Sequence, residues 1–282
     1  MENVFIGSEA VARGELTEFE LRRWHRPIFR DVYSPRNHVP SLRDRTTAAW
    51  LRSHRRGVVA GVAASALHGA SWVDSDVPIE LISPRIRRQD GLIVREEALA
   101  DDEITRVAGI PVTTRVRTAF DLGRLLERGE AVARLDALMR SQIFSVEDVM
   151  LLGERHRGAR GLKSLKKTLP LVDGGAASPR ETWLRLLYID AGLPRPTTQI
   201  PIVEGRGRLV RMADMGWEEF MVVSEYDGDQ HRTNRRQYTK DIRSLRRARE
   251  LGWIVDQVIK EDRPAAIVER ARTALVTRGW KP

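Results

Sequence analysis

Three carboxylates near the end of this sequence stand where acidic side chains need a reason. The stretch FMVVSEYD, residues 220–227, is apolar and β-branched as far as Val223 and then turns acidic at Glu225 and Asp227. Strand alternation puts Met221, Val223, Glu225 and Asp227 on one face, with the two carboxylates about 6.5 Å apart along the strand. A second strand candidate, LVRMAD, ends on Asp214, and an antiparallel hairpin turning through Gly216-Trp217-Glu218-Glu219 lets Asp214 reach the same end of the sheet. Carboxylates gathered in this way repel one another unless they are protonated or bridged by a cation. Mg2+ or Mn2+ suits hard oxygen ligands of this kind. The chemistry open to such a cluster is hydrolysis by a metal-activated water, and the competing reading is a set of solvated strand ends in a turn.

The helix expected next, from about 234 to 250, carries Tyr238, Ile242 and Leu245 on one side. Beside that apolar stripe runs a basic one, in which Arg236, Lys240, Arg243 and Arg247 follow i, i+4, i+7, i+11 spacing. Next to an acidic site the stripe suits the phosphates flanking a scissile bond, and by itself it suits solvent equally well. WIVDQVI forms the following strand, so the closing segment reads helix, strand, strand, helix, strand, helix. Its first helix starts at Ser178 as N-cap, with Pro179 at the first helical position and Glu181 at the third.

A chain of 282 residues has room for two or three modules. The run VDGGAASP, residues 172–179, is the best linker candidate and sets a main boundary at 173/174. Residues 1–40 read as two short helices, capped by Ser8 and Thr17 and separated by Gly14, then a small hairpin or wing. This unit is too small to fold without packing on the neighbouring segment or on a partner. Residues 41–173 are mixed: a helix near 43–54, an apolar segment at Val58 to Ala60, the Ala-rich AASALHG, strands at PIELI and GLIVRE, and helices from about 115 onwards. His68 closes the Ala-rich segment and reads as a helix end rather than a catalytic group.

Lys and Arg outnumber Asp and Glu by 48 to 39, a formal charge of +9, which favours polyanionic partners without establishing one. With no cysteine, disulfides, thiolate metal sites and cysteine nucleophiles are all excluded. The opening MENVFIGSEAVARGE has no basic region followed by an apolar core, and nowhere do eighteen apolar residues run together. The expectation is a cytoplasmic protein with no membrane partner. Homo-oligomerisation is left open.

Residues 178–262 resemble the very-short-patch-repair-like branch of the PD-(D/E)XK nuclease superfamily. The resemblance rests on SPRETWLRLL, VRMAD, VVSEYDGDQH and KDIRSLRRARELGW, in that order. It implies a restriction-endonuclease-like mixed sheet flanked by helices and a metal-dependent DNA endonuclease or nickase, with Asp214 and Glu225 as the metal-binding pair. Asp227 falls where the superfamily has its Lys, a departure, because an acid there can only bind metal or accept a proton. His231 resembles the His that this branch places beside its site, where it orients water or protonates the leaving oxygen, and Lys240 is a lesser candidate for a migrated cation. Glu181 matches a Glu that reaches the active site, although its spacing from Ser178 fits a capping box equally. Asp241 and Arg243 match the family pattern, and a structural ion pair accounts for them as well.

Residues 5–125 resemble the AbiEi-type transcriptional-regulator or antitoxin family, most specifically in GIPVTTRVRTAFDL. That resemblance implies a winged-helix-like DNA reader at the front, with Arg22 and Arg23 as DNA contacts, and then a mixed α+β middle domain. The fold class expected overall is α/β in three parts, 1–40, 41–173 and 174–282. The competing functions are a non-catalytic DNA-binding regulator or antitoxin with a decayed nuclease fold, and an RNA-directed nuclease.

Overall fold

The computed structural model describes residues 3–84, 86, 87, 89–227 and 235–282, with 235–238 described by backbone alone. The protein is of mixed α/β class, with three mixed or antiparallel sheets, and divides into two compact units, Met1–Pro170 and Leu171–Pro282. Among the described residues no helix is long and apolar enough to cross a membrane.

The N-terminal unit opens with β1 (Phe5–Ile6), α1 (Gly7–Ala12), α2 (Glu18–Trp24), β2 (His25–Phe29) and β3 (Val32–Pro35), the strands forming a small antiparallel sheet in the order β1-β3-β2. Thr17 caps α2 through a full capping box with Glu20. Ser8 caps nothing: it lies inside α1, whose N-cap is Ile6, and its hydroxyl is bonded to Asp31 at 2.5 Å. Then come α3 (Leu42–Arg52), β4 (Val58–Ala60), α4 (Gly61–Leu67), β5 (Ile79–Ile82), β6 (Leu92–Arg95), β7 (Ile104–Val107), β8 (Ile110–Thr113), α5 (Arg115–Leu125), α6 (Arg128–Ser141), α7 (Val146–Arg155) and α8 (Leu162–Thr168). The second sheet has the order β6-β5-β4-β8-β7. Its hairpin β7-β8 has no counterpart in the sequence reading, because each strand is only four residues long and shows no clean alternation. Val4, Ile6, Phe29 and Val32 share one core with Ala48, Val59 and Ile79, so the first forty residues pack directly on the second sheet. His68 is the C-cap of α4, and its Nε2 lies 2.7 Å from the Thr113 carbonyl oxygen.

The C-terminal unit contains α9 (Pro179–Asp190), β9 (Thr197–Glu204), β10 (Arg208–Trp217), β11 (Val222–Tyr226), α10 (Arg235–Glu250), β12 (Ile254–Val258) and α11 (Pro264–Thr277). The sheet order is β12-β11-β10-β9, antiparallel except that β12 runs parallel to β11. Parallel neighbours require a crossover, and α10 falls within it. Leu184 and Tyr188 of α9 join Ile267, Ala271 and Leu275 of α11 against Met215, Trp217, Val222 and Val258. On the other face Leu245 and Ala248 of α10 pack on Ile200, Ile202, Ala213, Val223 and Val255. Each such large buried side chain contributes about 1.5–3 kcal/mol, so these two layers hold the strands in fixed register.

Four details differ from the sequence reading. Strand β9 was not expected; it contains Pro201, which a strand tolerates at the edge of a sheet, the place β9 holds. The hairpin turn lies at Glu218–Phe220 rather than at Gly216, and Met221, at φ 52°, precedes β11 instead of sharing a face with Val223. Ile242 is 40% exposed and lies outside the core that holds Leu245. The 172–179 segment is tied into the C-terminal unit rather than strung free, since Asp173 accepts from the Gly175 N–H at 2.9 Å and from Thr198 Oγ1 at 3.0 Å, and the Leu171 carbonyl accepts from Arg185 at 2.6 Å.

Gly216 allows β10 and β11 to close together beside the site. A Cβ there would stand 2.2 Å from the Val222 carbonyl oxygen and 2.7 Å from Val223 Cα, both backbone atoms that cannot swing aside. Gly216→Ala is therefore expected to destabilise the protein by about 1–3 kcal/mol in chemical denaturation. A change within a few tenths would contradict this packing of the hairpin.

Candidate active site

The site begins at a break in strand alternation. Ala213 packs on the α10 side of the sheet and Met215, two residues on, packs on the opposite side, so β10 changes face at Asp214. The neighbouring strand is irregular at the same level: the register pairs Ala213 with Ile200 and Met215 with Thr198, which leaves Gln199, at φ 54°, opposite Asp214. Asp214 is held at this break by the Tyr226 backbone N–H, which donates to its Oδ2 at 2.8 Å. The acid is thus fastened to β11 just beyond Glu225.

Asp214 has its pKa pushed up to about 7, first by burial, then by the charge of Glu181, with Glu225 adding to the same effect. The Tyr226 N–H and Arg211 pull the other way and do not cancel it. Asp214 thus feels the charges of both Glu181 and Glu225. It is the member of the group left short of positive charge.

Glu225 differs. It is only 5% exposed and points to the α10 side, whereas the preceding Ser224 turns to the other side, with its Oγ 2.7 Å from the Tyr188 hydroxyl. Both Glu225 oxygens accept from Arg211, through Nε and through Nη2, the latter at 2.6 Å. Nη1 of Arg211 donates to Ser244 Oγ at 2.9 Å and stands 3.9 Å from Asp241. Sequence reasoning missed Arg211. The signal was available: in LVRMAD it shares strand parity with the buried Ala213, a position where a charged residue needs a buried partner.

Glu181 serves as the cap and as a neighbour of the site together. Its carboxylate accepts from the Ala177 N–H at 2.8 Å and from Ser178 Oγ at 3.0 Å, while its own N–H donates to Ser178 Oγ at 3.2 Å. Asp227 lies past the end of β11, half-buried, with its N–H continuing the ladder to the Val258 carbonyl at 2.8 Å. His231 lies outside the described residues, as does the Arg236 side chain.

The remaining three members of the basic stripe, Lys240, Arg243 and Arg247, line a cleft of about 900 Å3 between α10 and β10, together with Arg208, Arg211, Glu204 and Asp241. Arg247 is engaged there by Glu204 and Glu250. In the N-terminal unit, Arg22 pairs with Glu18 one turn earlier in α2, and Arg23 lies over the rings of Phe19 and Trp24, both exposed.

Among the described residues no group of three His, Asp or Glu side chains is arranged to hold a metal ion as it stands. The fork of Arg211 occupies Glu225 and the helix cap occupies Glu181. By chemistry, though, the donors suit a hard divalent cation, because Asp214 is a half-buried carboxylate whose affinity for positive charge is raised by desolvation and by the charges of Glu181 and Glu225.

The chain is similar to two proteins of Mycobacterium tuberculosis, the uncharacterized protein Rv2248 of strain ATCC 25618 / H37Rv and the uncharacterized protein MT2308 of strain CDC 1551 / Oshkosh. It is 31% identical to each over 201 residues, which cover 71% of this chain and 73% of the relative. No protein-family model and no solved structure matches it.

Asp214 sets a pH dependence of stability in metal-free buffer. Its folded pKa, about 7, stands above the ordinary 3.8, so its contribution to stability is fully present below about pH 4 and is lost as pH rises through 7. Asp214→Asn keeps the acceptor for Tyr226 and removes the charge. The variant should match the wild type near pH 4 and exceed it by about 1–3 kcal/mol at pH 8, allowing for the partial exposure of the site. Thermal melts in EDTA across that range measure the gap, and a gap independent of pH contradicts the assignment.

Proposed function

We propose, on the premise that the chain belongs to the family of these two uncharacterized mycobacterial proteins, that its C-terminal unit is a divalent-metal-dependent endonuclease acting on DNA in the cytoplasm. The single observation that carries the reading is Asp214: a partly buried acid at a break within β10 has its proton affinity raised by burial and by two other carboxylates, one of which, Glu225, is held by an arginine that lines a basic cleft. The resemblance of residues 178–262 to the very-short-patch-repair-like nucleases supports it.

Asp214 and Glu225 would hold the cation, Mg2+ or Mn2+, with Glu181 and Asp227 as further acidic groups beside it. Bound there, the cation would supply a nucleophilic water and stabilise charge developing on the phosphate. The chain's own residues account for the rest. Tyr226 fixes Asp214, and the cap fixes Glu181. Lys240, Arg243 and Arg208 give the cleft wall a positive charge that draws a phosphodiester backbone toward the carboxylates. His231 would orient water or protonate the leaving oxygen. In the N-terminal unit, Arg22 and Arg23 would assist DNA binding.

A second reading, a non-catalytic DNA-binding regulator or antitoxin, is favoured by one feature: Arg211 already neutralises Glu225 without a metal. The two readings differ on supercoiled plasmid. Wild-type protein should cut or nick it with Mg2+ or Mn2+ and leave it intact in EDTA. Asp214→Asn and Glu225→Gln should each lose at least about a hundredfold in rate, while their affinity for DNA in EDTA stays equal or rises, because removing negative charge lessens repulsion of phosphate. No cleavage by wild type under any metal would select the regulator.

A further inference from the structure

Arg211 belongs at once to the acidic cluster and to the basic cleft. Two arms of its guanidinium hold both oxygens of Glu225. The third donates to Ser244, and Ser244, Asp241 and Arg211 all line the cleft with Lys240 and Arg243. The side chain is 19% exposed, against 7% for that of Glu225, so the arginine stands on the solvent side of the pair.

While it stays charged, a carboxylate as deeply buried as Glu225 needs a compensating partner. Arg211 fills that need now, but with a fork that engages both oxygens, so a divalent cation seeking Glu225 has to displace at least one arm. The displaced guanidinium has a place to go, because one arm already rests on the cleft wall at Ser244 and the planar fork suits the paired oxygens of a phosphodiester.

We propose that Arg211 is an exchangeable counter-ion. It neutralises Glu225 while no divalent cation is bound, yields that carboxylate to the cation when one enters, and turns its fork to a phosphodiester oxygen in the cleft it already lines. The proposal rests on the reading of Asp214 and Glu225 as a divalent-cation site. It assigns to one residue the coupling between metal entry and phosphate binding. An arginine present only for stability would hold Glu225 in place for a metal, and its removal would weaken metal binding. A competing counter-ion gives the opposite sign.

The test uses the full-length protein, titrated calorimetrically with MnCl2 and melted with and without Mn2+. Arg211→Gln should bind Mn2+ about tenfold or more tightly than wild type, since a competing positive charge is gone. Its melting temperature, lower than that of wild type in EDTA, should recover on adding Mn2+ by more than the wild-type value rises. Arg211→Lys keeps the charge without the fork and should fall between the two in Mn2+ affinity. It carries the test alone if the Gln variant does not fold. Mn2+ affinity equal to or weaker than wild type in the variants overturns the exchange and leaves the metal site standing. Absence of Mn2+ binding in wild type and variants alike overturns the cation site and the exchange together.

Discussion

A carboxylate that leaves water has to find positive charge or give up its own, and the C-terminal unit is organised around that requirement. Glu225 meets it with the fork of Arg211. Glu181 meets it with backbone and hydroxyl donors at the start of α9. Asp214 has one backbone N–H, which does not offset burial and two acidic neighbours, and its pKa rises to about 7. The break in β10, the irregular Gln199 opposite it and the close approach allowed by Gly216 all hold this acid where the sheet leaves it short of compensation.

The N-terminal unit supplies the contrast. Asp121 is 1% exposed, yet its pKa is lowered rather than raised, because burial is outweighed by Arg95, Arg117 and Arg124. The arms of Arg117 are taken in turn by Asp121, Glu97 and Glu103. Around Asp121 the arginines outweigh burial, so its charge calls for no further ion and reads as structure. The supply of positive charge separates Asp121 from Asp214.

Much of the C-terminal unit was legible in the sequence because its signals are local. Ser178, Pro179 and Glu181 mark a helix start by spacing, and the apolar runs before Asp214 and Glu225 mark strands. What escaped depended on partners far away in the chain. Strand β9 was hidden by a proline that only an edge position tolerates. Arg211 looked like one more charge in a basic protein until its fork met Glu225, fourteen residues on. Glu181 keeps the cap that its spacing predicts, and its charge also acts on Asp214.

On the proposed reading, a cation at Asp214 completes the acidic cluster. The most direct measurement is a crystal of the full-length protein grown with MnCl2, with anomalous scattering collected at the manganese edge. The expected result is a peak within bonding distance of an Asp214 oxygen, and no peak there in crystals of Asp214→Asn. Manganese located elsewhere, or no peak in the wild-type crystal with Arg211 still holding both Glu225 oxygens, would contradict it.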